Sequence, residues 1–134
     1  MLEGWFDGAC GPRNPGGHAA WGAVLCRGVD LVWQKSGYVG CGSAMSNNVA
    51  EYAGLAALLE RLQGETEHCL IRGDSNLVIM QMTGKWGVKG GLYLPYYRIA
   101  EALLAPIYDR VSFAWVPREE NTVCDDLSKT LIPY

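Results

Sequence analysis

The sequence predicts a mixed α/β fold: a five-stranded sheet flanked by helices, with elements in the order βββαβααβα. Three observations carry this. Roughly the first 40 residues alternate apolar and polar side chains in runs punctuated by turn formers, the pattern of an antiparallel meander. Next, a polar Ser46-Asn47-Asn48 start leads into apolar residues at helical spacing. Beyond that helix, strand-like runs are separated by helical ones, and strands joined through helical crossovers pair in parallel.

Taken in order, the first strand is predicted at Leu2 to Phe6. It is stopped by Asp7-Gly8 and the turn-rich Gly11-Pro12-Arg13-Asn14-Pro15-Gly16-Gly17. His18 to Cys26, rich in Ala, Trp and Val, is the second strand, Gly28 breaks it, and Asp30 to Val39 is the third. Val49, Tyr52, Ala53, Ala56 and Leu59 share one helical face, which predicts a helix over Val49 to Leu62 ended by Gly64. His68 to Arg72 is a short strand, and Asp74 to Met82 a helix entered directly from it. Gly84 to Gly91 is a loop, Pro95 opens a helix to about Ala105, Arg110 to Val116 is the fifth strand, and Asn121 to Leu131 is a closing helix. No repeat, low-complexity tract or linker interrupts the pattern, so residues 1–134 are expected to form one domain.

Composition narrows the function. With 134 residues, 49% apolar and 19% charged, the chain is no disordered polymer. At this length a fold buries roughly two thirds of its unfolded surface without staples. No apolar run approaches the ~18 residues that span a bilayer, and Glu3 stands where a signal peptide carries a base, so a cytoplasmic protein without a membrane partner is expected. Five cysteines, an odd number without a C-x-x-C pair, fit buried or half-buried free thiols in a reducing compartment. Only His18 and His68 offer imidazole, so the chemistry falls to carboxylates. The formal net charge of -3 argues, at first sight, against a polyanionic partner.

Four acids stand at element ends or on exposed helical turns: Asp7 after the first strand, Glu51 in the first turn of a helix, Asp74 after the fourth strand, and Asp125 in the last helix. Each has a local explanation. Asp7-Gly8 is a plausible turn, Asn48-Val49-Ala50-Glu51 fits a capping box, Asp74 fits a helix N-cap, and Asp125-Asp126 fits a solvated face. Against these stands topology, because a mixed α/β sheet brings strand ends and helix starts to one edge. Ionised carboxylates within about 4 Å repel by roughly 4 kcal/mol per pair at an effective dielectric of 20. Several such pairs rival the ~5 to 15 kcal/mol stability of a whole domain. A divalent cation removes the conflict, and all-oxygen ligation favours Mg²⁺ or Mn²⁺ over zinc.

The strand ending in Asp7-Gly8-Ala9, the helix start Ser46-Asn47-Asn48-Val49-Ala50-Glu51-Tyr52, the Gly73-Asp74-Ser75 turn and the closing Arg118-Glu119-Glu120-Asn121-Thr122-Val123-Cys124-Asp125-Asp126-Leu127-Ser128 together resemble ribonuclease H of type one. The resemblance covers almost the whole chain in the family's order and spacing, and it implies a ribonuclease H-like fold. It also implies an endoribonuclease that hydrolyses the RNA strand of RNA/DNA hybrids with two Mg²⁺ ions, Mn²⁺ being a possible substitute, and leaves a 5'-phosphate and a 3'-hydroxyl. Carried over, Asp7 would bridge both metals, Asp125 would help hold the one that activates water, and Glu51 and Asp74 would hold the one at the leaving oxygen. Asp126 is the rival for Asp125, which follows Cys124 and lies four residues after Asn121, as in the family's N-x-x-[AC]-D pattern.

Asn14, Asn47, Asn48 and Asn76 match backbone-contacting positions of the family, and Ser46 matches a residue that helps hold a DNA-strand phosphate. Lys85, Trp86, Lys89 and Arg118 are further candidates for substrate contact. Capping and turn formation are the competing explanations for the amides. Two departures stand out. The segment Trp115 to Glu120 lacks the histidine many members carry there, with Arg118, Glu119 or Glu120 as possible replacements. The loop after the second helix also lacks a strongly basic protrusion, as in the compact archaeal-like branch. The rival functions are a weakly catalytic hybrid-binding module, a resolvase or transposase core, and a reverse-transcriptase-associated copy of the domain. A monomer without an obligate protein partner is expected. Setting the four site acids aside takes the formal charge from -3 to +1, so a nucleic-acid substrate remains compatible, gripped through a few phosphates.

Overall fold

In the computed structural model, which describes residues 1–133, the chain runs β1 (Leu2–Gly11), β2 (His18–Arg27), β3 (Asp30–Cys41), α1 (Asn47–Arg61), β4 (Cys69–Gly73), α2 (Asn76–Met82), α3 (Leu94–Leu104), β5 (Val111–Trp115) and α4 (Thr122–Lys129). The element order is the predicted one. The strands form a single mixed sheet ordered β3-β2-β1-β4-β5, with β1 and β3 antiparallel to β2, β4 parallel to β1, and β5 parallel to β4. No helix among the described residues is long and apolar enough to cross a membrane.

The register at the centre of the sheet positions everything that follows. β1 pairs with β2 along its whole length, from Leu2 opposite Arg27 to Gly11 opposite His18. Its parallel pairing with β4 ends at Phe6 opposite Gly73. The next residue on each strand is an aspartate, Asp7 on one and Asp74 on the other. The first strand therefore does not end at Phe6, as the turn preference of Asp7-Gly8 suggested. Pairing with β2 from Asp7 opposite Gly22 onward overrides that local preference and carries the strand on to Gly11.

Helices cover the two faces. Tyr52, Leu55, Leu58, Leu59 and Leu62 of the α1 segment are fully buried with Leu2, Phe6, Leu25 and Ile71 of the sheet, and Ala100 and Leu104 of α3 close that core. Two glycines admit helices at close range. A Cβ on Gly8 would overlap the backbone of Ala50 and Glu51, so only hydrogen there lets α1 seat its start against β1. A Cβ on Gly22 would lie 2.7 Å from the Cys124 carbonyl oxygen, so that glycine admits α4. The residues paired at this level, Asp7 and Gly22, thus lie where both helices come nearest the sheet.

Several boundaries differ from the sequence reading for local reasons. Ser46, not Asn48, caps α1, its Oγ accepting from the Val49 N–H at 3.2 Å, so Asn48 and Glu51 form no capping box and Glu51 lies beyond the first turn. Ser75, not Asp74, caps α2 by accepting from Val78 N–H at 3.3 Å. In both places the serine stands just ahead of the helix, and either residue type was a valid cap on preference alone. The third strand continues to Cys41, α4 is confined to Thr122–Lys129, and short 3₁₀ turns occupy Leu62–Gly64, Ala105–Arg110 and Arg118–Glu120. All five thiols are free. Cys69 and Cys124 are buried, Cys10 and Cys26 half-buried, and Cys41, against expectation, is exposed.

Candidate active site

Three carboxylates meet where β1 and β4 diverge. Asp7, Glu51 and Asp74 each offer an oxygen within 4.8 Å of the others, and Asp7 and Glu51 are only 4% and 2% exposed. Four devices hold the acids. The Asp7 carboxylate accepts from the Gly8 N–H at 2.9 Å, and the Gly8 close approach brings Glu51 to it. The Trp115 indole N–H donates to the Asp74 carbonyl at 3.1 Å, fixing the turn after β4. Asn121 donates its side-chain amide to the Phe6 carbonyl at 2.9 Å, while its own carbonyl accepts from Asp125 N–H at 3.1 Å. One residue thereby ties the strand bearing Asp7 to the helix bearing Asp125.

Asp125 lies outside that trio and lines, with Asp7, Asn47, Glu51, Arg118 and Lys129, a cleft of about 180 Å³ beside it. It is half-buried, whereas Asp126 is exposed and does not line the cleft. Lys129 donates to Asp125 at 3.1 Å, and Arg118, 85% exposed, reaches to 4.0 Å from Asp74. A larger concavity, about 500 Å³, lies between α2 and α3. Its acid, Glu101, accepts from the Tyr97 hydroxyl and has no acidic neighbour lining the same concavity. Size favours that groove for a small molecule; the clustered acids favour the smaller cleft for chemistry.

Electrostatics agree with the geometry. Burial, opposed by hydrogen bonds to Glu51 and Gly8 and reinforced by the charges of Asp74 and Asp125, pushes Asp7 up from 3.8 to about 7. Burial, followed by the neighbouring Asp7, holds Glu51 well above the ordinary carboxylate range. Asp74 is raised too, again chiefly by burial. One oxygen of Glu51, Oε2, is buried with no hydrogen-bond partner among the described residues. An orphaned buried acceptor on one of three clustered acids is what a hard divalent cation would satisfy, and all-oxygen donors suit Mg²⁺ or Mn²⁺. Behind the cluster, burial and the three acids push the Cys124 thiol up, which leaves it a poor nucleophile.

The other sequence candidates divide by place. Asn47, the first residue of α1, lines the cleft, and its N–H donates to the Asn14 side-chain oxygen at 2.9 Å. That bond draws the loop between β1 and β2 onto the helix start. Ser46 and Asn48 flank Asn47, and Asn76 is exposed at the start of α2. Lys85, Trp86 and Lys89 are exposed on the loop between α2 and α3 and do not line the acidic cleft. Sequence reasoning did not single out Gly8, Trp115 or Asn121 as site-forming residues. The last two act on partners 41 and 115 positions away, a relation no local pattern encodes. The Asp125–Lys129 pair, at i,i+4, was open to prediction from spacing.

Comparison with known proteins adds a consistent set of relatives. Residues 5–131 match the family model described as Reverse transcriptase-like. The chain is 39% identical over 120 residues to Bifunctional protein Rv2228c of Mycobacterium tuberculosis and 35% identical over 128 residues to Ribonuclease HI of Halobacterium salinarum. The alignments take in 88% and 95% of this chain but only 32% and 62% of those proteins. The chain thus spans about a third of the mycobacterial relative. Among solved structures, LC11-RNase H1 in complex with an RNA/DNA hybrid superposes with a TM-score of 0.83 at 27% identity, covering 95% of this chain and 93% of that one. RNase H1 of Halobacterium salinarum gives 0.80 at 34% identity, covering 94% and 92%. With a family model matched nearly end to end and an RNase H1 structure covered almost entirely above 30% identity, the chain belongs to the type 1 ribonuclease H family.

Proposed function

We propose that this protein hydrolyses the RNA strand of RNA/DNA hybrids, and that Asp7, Glu51, Asp74 and Asp125 form its catalytic metal centre. The observation that carries the reading is the trio Asp7, Glu51 and Asp74, two of them buried and one half-buried, with carboxylate oxygens within 4.8 Å of one another and Glu51 Oε2 buried without a partner. Two Mg²⁺ ions bound there would let the carboxylates stay ionised, activate the attacking water and stabilise the departing 3'-oxygen, leaving 5'-phosphate products. Asp7, on the strand between β2 and β4, would contribute to holding both ions, Glu51 and Asp74 would help hold the one at the leaving oxygen, and Asp125, on the rim of the cleft, the one that activates water.

The residues around the cleft suit a duplex. Ser46 uses its oxygen as a cap and keeps its hydroxyl hydrogen for a DNA-strand phosphate. Asn14 accepts from Asn47 N–H and keeps its amide N–H groups for the nucleic-acid backbone, to which Asn47, Asn48 and Asn76 add donors. Recognition of the ribose 2'-hydroxyl separates RNA from DNA. Of the three residues proposed to replace the missing loop histidine, Arg118 is the one that lines the cleft, and its charge beside Asp74 suits the mouth of an anionic substrate site. Lys85, Trp86 and Lys89 grip the flanking duplex. The free thiols fit a reducing, cytoplasmic setting, and a monomer suffices.

The deciding measurement is cleavage of a labelled RNA/DNA hybrid with and without Mg²⁺, beside single-stranded RNA and duplex RNA. Metal-dependent cutting of the hybrid's RNA strand alone is expected, and Asp7→Asn should abolish it. Full activity in that variant would overturn the assignment.

A further inference from the structure

Gln81 is 5% exposed, and the site as described gives it no task. Its carboxamide is fully engaged. The oxygen accepts from the Tyr52 hydroxyl at 2.6 Å, while the nitrogen donates to the Gly87 carbonyl at 3.2 Å and to the Tyr93 hydroxyl at 3.0 Å. Those partners belong to different parts of the molecule. Tyr52 follows Glu51 on α1, Gln81 lies on the helix that begins just after Asp74, and Gly87 sits between Trp86 and Lys89 on the α2–α3 loop. Tyr52 is itself fixed, stacked on Tyr93 and meeting Tyr97 edge-on, each with ring centroids 5.6 Å apart.

The loop has reason to need this hold. Residues 84–91 include four glycines, Gly84, Gly87, Gly90 and Gly91, so its unrestrained conformational entropy is large. Its start is closed onto α2 where the Lys85 and Trp86 N–H groups both donate to the Met80 carbonyl, at 2.9 and 3.1 Å. Past Trp86 the hold passes to Gln81. An apolar side chain would fill the core without the desolvation penalty of a buried amide, so the amide is best explained by the irregular backbone it fastens.

We propose that Gln81 is a positioning residue for the substrate. It locks the loop carrying Lys85, Trp86 and Lys89 to the helix carrying Glu51, so that the grip on the flanking duplex and the carboxylate centre engage the same hybrid in register. The inference rests on the hybrid-cleaving reading above and deepens it.

The test pairs Gln81→Met with Tyr52→Phe, so that the buried Tyr52 hydroxyl is not left without its acceptor, and measures cleavage of a hybrid long enough to reach the loop. With one or two bonds to the loop lost, KM should rise about fivefold or more while kcat stays within about twofold. Trypsin should cut faster after Lys85 and Lys89. In a Lys85→Ala, Trp86→Ala, Lys89→Ala background the KM effect should vanish. A folded variant with unchanged KM, a fall confined to kcat, or an undiminished KM effect in that background would overturn the proposal. Should the double variant fail to fold, Gln81→Glu keeps the acceptor for Tyr52 and loses the donor to Gly87, and the same outcomes apply. Wild-type cleavage tests the function reading by itself. The variant's tryptic rate and its hybrid Kd, read by fluorescence anisotropy in EDTA, test the hold on the loop even if the wild type proves inactive.

Discussion

Removing the charge of Asp7 should stabilise the metal-free protein while destroying its activity. Burial pushes this carboxyl from 3.8 to about 7, so the folded state binds the proton more tightly than the unfolded chain. That preference contributes stability in full below about pH 4 and loses it as pH rises through 7. Raising the carboxyl from 3.8 to about 7 corresponds to about 4 kcal/mol, and the group is too buried for solvent to discount it much. Sharing of protons between Asp7 and Glu51 makes this a ceiling, so 2 to 4 kcal/mol is the working range, roughly 10 °C in melting temperature for a domain of this size. An asparagine keeps the acceptor for the Gly8 N–H and offers an amide to Glu51. Thermal melts in EDTA should show Asp7→Asn level with wild type near pH 4 and well above it at pH 8. Adding Mg²⁺ at pH 8 should raise only the wild type, by mass action. Equal or lower melting of Asp7→Asn at pH 8 in EDTA would refute the idea that the acids crowd one another in the metal-free fold.

Three further outcomes follow from particular contacts. Ser46→Ala should cost about 1 kcal/mol by removing the α1 cap, whereas Asn48→Ala should leave denaturant midpoints almost unchanged, since Asn48 does not cap the helix. Gly8→Ala forces a methyl into the Ala50–Glu51 backbone, so a loss at or above the upper end of the roughly 1 to 3 kcal/mol of ordinary overpacking, or outright unfolding, is expected in urea titrations. Lys129→Met frees Asp125 from a competing cation. It should lower the Mg²⁺ concentration for half-maximal cleavage about twofold, at a stability cost of no more than about 0.5 kcal/mol measured by melting.

What the sequence disclosed tracks the range of the forces involved. The α1 pattern of Val49, Tyr52, Ala53, Ala56 and Leu59 reports burial on one helical face, and Val49, Tyr52 and Leu59 are fully buried while Ala53 and Ala56, at the edge of that face, are half-buried. The strand and helix order followed from periodicity in the same way, and with it the sheet of antiparallel then parallel pairs. End points fared worse where two neighbouring residues had equal local merit. Ser46 and Asn48 are both competent caps, and because the helix starts at Asn47 it is the serine just ahead of it that makes the bond. Asp7-Gly8 has the composition of a turn, and only its pairing opposite Gly22 and Trp21 keeps it in a strand. Asp7, Glu51, Asp74 and Asp125 stood out in the sequence as candidates because acids expected at element ends and helix starts are conspicuous, and the structure gathers the first three, with Asp125 on the cleft beside Asp7 and Glu51. The supports for them, Trp115 and Asn121, did not stand out, because a hydrogen bond across the fold leaves no periodic trace.

The placing of the acids also explains how a fold tolerates them. Asp7 stands on the middle strand of the sheet, paired with β2 at its own level and with β4 one residue earlier, the least deformable position available. Glu51 is presented by a helix whose face a few residues on supplies much of the core, and Asp74 by a turn pinned through Trp115. Each acid is therefore fixed by interactions made elsewhere on its own element, so the repulsion among them cannot be relieved by a small local movement. Relief has to come from protons or from a cation. The raised Asp7, Glu51 and Asp74 show the first route, and the unpartnered Glu51 oxygen is an acceptor that the second would satisfy. Rigidity that costs stability without metal is what holds ligands at fixed spacing when metal binds, and the same acids thus account for both the strain in the fold and the chemistry proposed for it.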